Sequence, residues 1–189
     1  HRHFMQFAVK ILVKKEVKSF ARNPGGAPAN VLAMNSKLGG SSAFIGKVGN
    51  DAFGSYLNDT LSNHNIDITG MATDSNVPTT LAFVQLDSKG DRSFSFYRNP
   101  GADMMLNADE VKKELIDECK IFHFGSLSLT DEPCRKATYD AVNYAKKLGK
   151  IISFDPNYRS LLWSDREKAV NEISRAITMA DILKVSEEE

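Results

Sequence analysis

Cysteine is nearly absent: Cys119 and Cys134 are the only two in 189 residues. Two thiols this far apart supply neither a disulfide scaffold nor a metal knuckle, so a reduced, cytoplasmic setting is expected. Charge of one sign is missing as well. Lys plus Arg equals Asp plus Glu at 24 each, which removes the basic field that nucleic acid or an anionic membrane surface would require. No run of about 18 apolar residues occurs, and the first residues lack the apolar centre of a signal peptide. His64 and His123 have no carboxylate or cysteine at metal-ligand spacing, and His123, inside an apolar stretch, reads as a core histidine. There is no Ser-His-Asp arrangement, no Walker lysine loop and no dinucleotide glycine fingerprint. Partners must therefore be inferred from sites, not from bulk charge.

What is present suits one ordinary domain with a sizeable core: 42% of residues are hydrophobic and 25% charged. Gln6 to Phe20 alternates as one or two strands. Val31 to Leu38 is helix-capable, Ser42 to Val48 reads as a buried strand, and Asp51 to Asn63 spaces Phe53, Tyr56, Leu57 and Leu61 as a helix. Strand and helix in alternation indicate a parallel sheet covered by helices. From Val77 to Arg98 the pattern becomes a β-hairpin turning at 87–91, either a flap over the sheet or an edge extension. Alternation then resumes: helix over Ala108–Glu118 with Asn107 as N-cap, strand at Ile121–Phe124, helix over Glu132–Leu148, strand at Ile151–Asp155, helix over Arg166–Met179 and strand at Ile182–Val185. A last strand without a covering helix makes the chain read as the first part of something longer.

The chain is organised around Asn23-Pro24-Gly25-Gly26-Ala27-Pro28-Ala29-Asn30. Paired glycines allow positive φ and close approach of a ligand, and a helix starting near Pro28 aims its first amides at the loop. Asn30 adds a donor and an acceptor one turn in. A tight strand-to-helix turn explains the same residues. In an open α/β sheet ligands collect beyond the carboxyl ends of the strands, and three such ends are polar here: Gly125-Ser126, Asp155 to Arg159, and Ser186 to Glu189. Asp155, Asn157 and Arg159 alternate and are expected to face one side, suiting a phosphate or a row of hydroxyls. The alternative is that Asp155 caps a turn and Arg159 pairs with it. Phe96 and Arg98 alternate likewise on the hairpin.

Taken in order, Gly25 to Asn30, Leu38-Gly39, Phe44 to Gly54, Phe96 to Met104, Phe122 to Leu129, Asp155 to Arg159 and Lys184 to Glu189 resemble the signature segments of the PfkB, or ribokinase-like, carbohydrate kinases, and are most similar to the fructokinases among them. The resemblance implies an α/β, doubly wound, mainly parallel sheet flanked by helices, incomplete at the C-terminus, forming one domain over residues 1–189 with a β lid from about 7–23 and 77–101. It implies transfer of the γ-phosphoryl group of ATP to fructose, with Mg²⁺. Gly25, Gly26 and Asn30 would hold sugar hydroxyls, Phe96 and Arg98 would contact the sugar from the lid, and Asn157 and Arg159 would face the phosphoryl path. Ser186 and Glu189 would stand at the nucleotide and Mg-phosphate motif. No catalytic base is implied among these residues, because that family keeps its base, anion hole and adenine pocket in a C-terminal half; the 189 residues alone are expected to be inactive. Phe7 to Val13 lacks the Gly-Glu pair and aspartate with which the family opens. Small-molecule sugar and ATP are the implied partners, with a homodimer through the lid. The alternatives are a 2-keto-3-deoxygluconate kinase and a non-catalytic sugar- or protein-binding relative.

Overall fold

The computed structural model describes residues 9–10, 21–86 and 92–187. Most of the expected N-terminal strands, the hairpin tip and Glu189 lie outside these residues. The elements in order are β1 (Val9–Lys10), α1 (Ala27–Lys37), β2 (Ser42–Gly49), α2 (Ala52–Asn63), β3 (Ile66–Asp74), β4 (Leu81–Leu86), β5 (Arg92–Tyr97), α3 (Lys113–Glu118), β6 (Ile121–Gly125), α4 (Cys134–Lys147), β7 (Ile151–Asp155), α5 (Arg166–Ile177) and β8 (Ile182–Leu183). No described helix is long and apolar enough to cross a membrane.

Among the described residues the strands form three ladders: β1-β4-β5, β2-β3 and β6-β7-β8. The last is parallel throughout, with Gly125 opposite Asp155 and Phe154 opposite Leu183. Its three carboxyl ends therefore share one edge, the edge at which an α/β sheet binds ligands. The hairpin is antiparallel, with Ala82 opposite Phe96 and Val84 opposite Phe94, and β1 runs parallel to β4.

The main core lies between β6-β7 and the helices α4 and α5. Ile152, Phe154, Leu129, Val142, Ala145 and Ala176 are fully buried there, and the rings of Phe124 and Phe154 lie 4.7 Å apart. Small residues on the buried face of α4 (Ala137, Ala141, Ala145) let that helix sit close to the sheet.

Two elements differ from the sequence reading. Ile66–Asp74, which shows no clean alternation, forms β3 parallel to β2. Gly70 is what admits it, since a Cβ there would stand 2.6 Å from the Phe44 carbonyl oxygen; cross-strand fit outweighs weak intrinsic propensity. The helix expected over Ala108–Glu118 is broken instead into a 3₁₀ turn at Ala108–Glu110 and α3. Asn107 stands at the N-cap, as expected, with its N–H donated to Glu110 Oε2 at 2.8 Å, but the turn closes there. Glu110 also bonds the buried Lys47 ammonium at 2.8 and 3.0 Å, which holds it away from a continuing helix.

Candidate functional site

Gly26 has φ of 111°, the left-handed region that an L side chain rarely adopts, and it stands as the N-cap of α1 with Pro28 in the first turn. Asn30 closes the first full turn by donating its N–H to the Gly26 carbonyl at 3.0 Å. The amides of Ala27 and Ala29 come before that bond and lie at the positive end of the helix dipole. Gly25 and Asn30 also line a narrow cleft with Pro24, Ala33, Leu57 of α2 and His64 just after it.

This helix start meets the shared strand edge. A Cβ on Gly125, the last residue of β6, would lie 3.2 Å from the Asp155 carbonyl oxygen and 3.9 Å from Pro28 Cγ. Ser126, fully buried, donates its hydroxyl to the Pro156 carbonyl. Lys184, just past β8, places Nζ 3.4 Å from Asp155 Oδ1, so the segment leading to Ser186 leaves from the same edge.

The expected alternation of Asp155, Asn157 and Arg159 is not what forms. Asn157 has φ of 39° and donates its N–H to Asp155 Oδ1 at 3.1 Å. The buried aspartate thus builds a local turn, which asparagine tolerates in the left-handed region, and the chain is not extended across these residues. Arg159 donates to its neighbour's carbonyl, that of Tyr158, at 2.8 Å. The capping alternative describes Asp155, whereas its ion pair is with Lys184.

On the hairpin, Phe96 stacks on Phe94 at 6.0 Å with an interplanar angle of 7°, over the buried Ala82 and Val84. Arg98 follows β5 and reaches across to the turn beyond β6. Its Nη2 donates to the Leu127 carbonyl at 2.9 Å and its Nη1 to Thr130 Oγ1 at 3.0 Å. Its Nε and Nη2 meet Asp103 Oδ2 at 2.8 and 2.7 Å. The helix start, Gly125, the Asp155–Asn157 turn and Arg98 therefore surround the end of β6. Phe96 remains in the hairpin's own apolar cluster, and Glu189 lies outside the described residues.

Sequence reasoning missed what fastens the hairpin. Asp51 Oδ1 caps α2 by accepting from Phe53 N at 3.0 Å and Gly54 N at 2.8 Å. The same carboxylate accepts from the Thr79 N–H and hydroxyl, both at 2.8 Å, while Thr79 Oγ1 accepts from Gly49 N at 3.0 Å. Burial pushes the Asp51 carboxyl up, but these N–H and O–H donors outweigh it and hold the group below its usual range. A Cβ on Gly49 would stand 2.5 Å from Thr79 N, so the glycine is needed for this approach. The N-cap signal of Asp51 was present in the sequence; the pairing with Thr79, 28 residues away, was not.

His123 is half-buried with Nδ1 3.0 Å from Ser153 Oγ, while its buried Nε2 has no hydrogen-bond partner among the described residues. Burial lowers its pKa, against the opposing charge of Asp155, so the ring is a neutral core group at neutral pH and only partly satisfied.

Comparison with known proteins gives this arrangement its context. Residues 6–189 match the model of the pfkB family carbohydrate kinases. The chain is 51% identical over 174 residues to "Probable fructokinase-7" of Arabidopsis thaliana, covering 92% of this chain and 51% of that protein. It superposes on the fructokinase of Xylella fastidiosa with bound ATP at a TM-score of 0.88 and 35% identity, covering 98% of this chain and 57% of that one. For the fructokinase of Vibrio cholerae O395 with fructose, ADP and calcium ion the TM-score is 0.85 at 34% identity, over 98% of this chain and 59% of that one. The chain spans about half the length of the curated relative it matches. With the family model covering nearly all of its residues, this chain belongs to the pfkB family of carbohydrate kinases.

Proposed function

We propose that the protein acts as an ATP-dependent fructokinase, transferring the γ-phosphoryl group of ATP to the 6-hydroxyl of fructose. The observation that carries this is the meeting of the α1 start, Gly125 and the Asp155–Asn157 turn at one strand edge, with Pro28 Cγ 3.9 Å from the Cβ position of Gly125. A helix N-terminus and a side-chain-free strand end give a sugar and a phosphoryl group donors that approach closely. The fructose, ATP and ADP bound by the solved relatives support the same reading.

In this reading Gly25, Gly26 and Asn30 bind sugar hydroxyls, and Phe96 and Arg98 belong to a lid that closes over the sugar and excludes water, which would otherwise compete for the phosphoryl group. Asn157 and Arg159 are assigned to the phosphoryl path, and Ser186, with Glu189 outside the described residues, to the nucleotide and its Mg-phosphate motif. Mg²⁺ would accompany the phosphates of ATP, where it usually keeps several of its waters, at the motif of Ser186 and Glu189. Copies pair through the hairpin face on which Tyr97 is 67% exposed beside Phe83. The free thiols of Cys119 and Cys134 suit a reducing compartment, the cytoplasm.

The test is sugar-dependent ADP release by the full-length protein with fructose and with 2-keto-3-deoxygluconate. Turnover of fructose at the higher kcat/KM is expected. Preference for the sugar acid would assign the second kinase reading, and silence with both sugars would leave a binding relative.

A further inference from the structure

We propose that Asp103 makes the site selective for uncharged sugars over sugar acids by neutralising the lid arginine from within. This rests on the kinase reading above.

An arginine near a sugar pocket ordinarily favours anionic ligands, because its planar fork matches a carboxylate in both geometry and charge. Here the fork is already filled. Arg98 is only 5% exposed at its side chain, and Nε and Nη2 both meet Asp103 Oδ2, at 2.8 and 2.7 Å. Its remaining bonds go to uncharged oxygens, the Leu127 carbonyl and Thr130 Oγ1. Asp103 is 41% exposed at its side chain. Solvent, and hence an arriving ligand, meets the anion of the pair before the cation.

The pair is built in place. The other Asp103 oxygen, Oδ1, accepts the Thr80 hydroxyl from the start of β4, while Arg98 leaves the end of β5, so one carboxylate ties both legs of the hairpin. A Cβ at Gly101 would collide with Thr80 Oγ1 and stand 2.8 Å from Asp103 Oδ1 and 3.1 Å from Arg98 Cγ. A substrate carboxylate would have to displace Asp103 from Arg98 or lie beside it as a like charge. Each is a penalty against the acid that a neutral ketose does not incur.

The deciding measurement is kcat/KM of the full-length protein for fructose and for 2-keto-3-deoxygluconate, with D103N and D103E. D103N leaves the guanidinium charge unbalanced. It is expected to shift the ratio toward the acid by roughly tenfold, mainly through a lower KM for the acid. D103E, which restores the charge, is expected to return the ratio to within about threefold of the parent. A folded D103N with an unchanged ratio overturns the proposal and leaves Asp103 a structural tie. If D103N does not fold, the parent protein decides. Raising salt from about 0.05 to about 0.5 M should lower KM for the acid relative to fructose by screening the repulsion, and a flat ratio overturns the proposal. Parent protein inactive on both sugars, with neither sugar bound in calorimetric titration, would instead sink the kinase reading.

Discussion

Around β7 the chain is held by packing: Phe154 and Ile152 are fully buried, the Phe124 ring lies tilted against Phe154, and α4 and α5 cover them. Among the described residues of the hairpin only Ala82 and Val84 are buried, with Phe94 and Phe96 laid against them. Its legs are tied by carboxylates, Asp51 to Thr79 and Asp103 to Thr80 and Arg98. The sheet derives its position from non-directional burial of large apolar area, which one altered contact does not move. The hairpin depends on a few directional bonds at its base, so it can hinge there while its strands stay paired. A rigid platform for the phosphoryl group and a tethered cover for the sugar are what the proposed reaction requires.

The largest test of this contrast is Phe154→Ala, expected to cost about 3–5 kcal/mol as a large buried cavity, read from urea denaturation. Phe96→Ala is expected to cost only about 1–2 kcal/mol, since its ring is half-buried; equal losses would erase the distinction between platform and lid. Next, Asp51→Ala removes a helix cap and leaves the buried Thr79 without its acceptor, for about 2–3 kcal/mol together. Hydrogen exchange should then speed up in β4 and β5 while β6 and β7 stay protected, and uniform acceleration would show that the knot supports the whole fold. Gly26→Ala forces a side chain to φ of 111°, at about 1–2 kcal/mol. It should weaken fructose binding more than it alters β6-β7 protection, and intact binding would remove Gly26 from the site.

The smallest effect concerns pH. The folded Asp51 carboxyl lies below its ordinary value of 3.8, so its contribution is complete above that value and is lost as pH falls through the lower, folded one. Asp51→Asn should therefore flatten part of the stability loss below about pH 4. Part of the slope should survive, because Asp74, through the N–H donors of Asn76 and Val77 and then Lys47, and Glu110, through Lys47 against its burial, are also held low. An unchanged acid slope in thermal melts would show that Asp51 contributes nothing to it.

Legibility in the sequence followed the range of the interaction. The helices at Ala27–Lys37, Ala52–Asn63 and Arg166–Ile177 were readable from periodicity, the first also from Pro28 near its start. β3 was not, because Ile66–Asp74 owes its strand to the approach of Phe44 over Gly70 and not to its own alternation. In the site, Gly26 was legible because positive φ is a local demand that glycine meets. The Asp155–Asn157 turn was misread as extended because nothing local says whether Asp155 spends its oxygen on its own backbone. Asp103 stood in plain view five residues from Arg98, yet outside a helix that spacing implies no contact.

Amino-acid order alone settled the α/β rhythm, the glycine-led helix start, the hairpin and the family resemblance, all of which rest on neighbours a few residues apart. Tertiary structure decided that three strand ends and a helix start meet at Gly125, that Asp51 holds Thr79 and that Asp103 balances Arg98. Those pairings depend on register and on which backbone passes close to which, and such distances are fixed only once the sheets are packed.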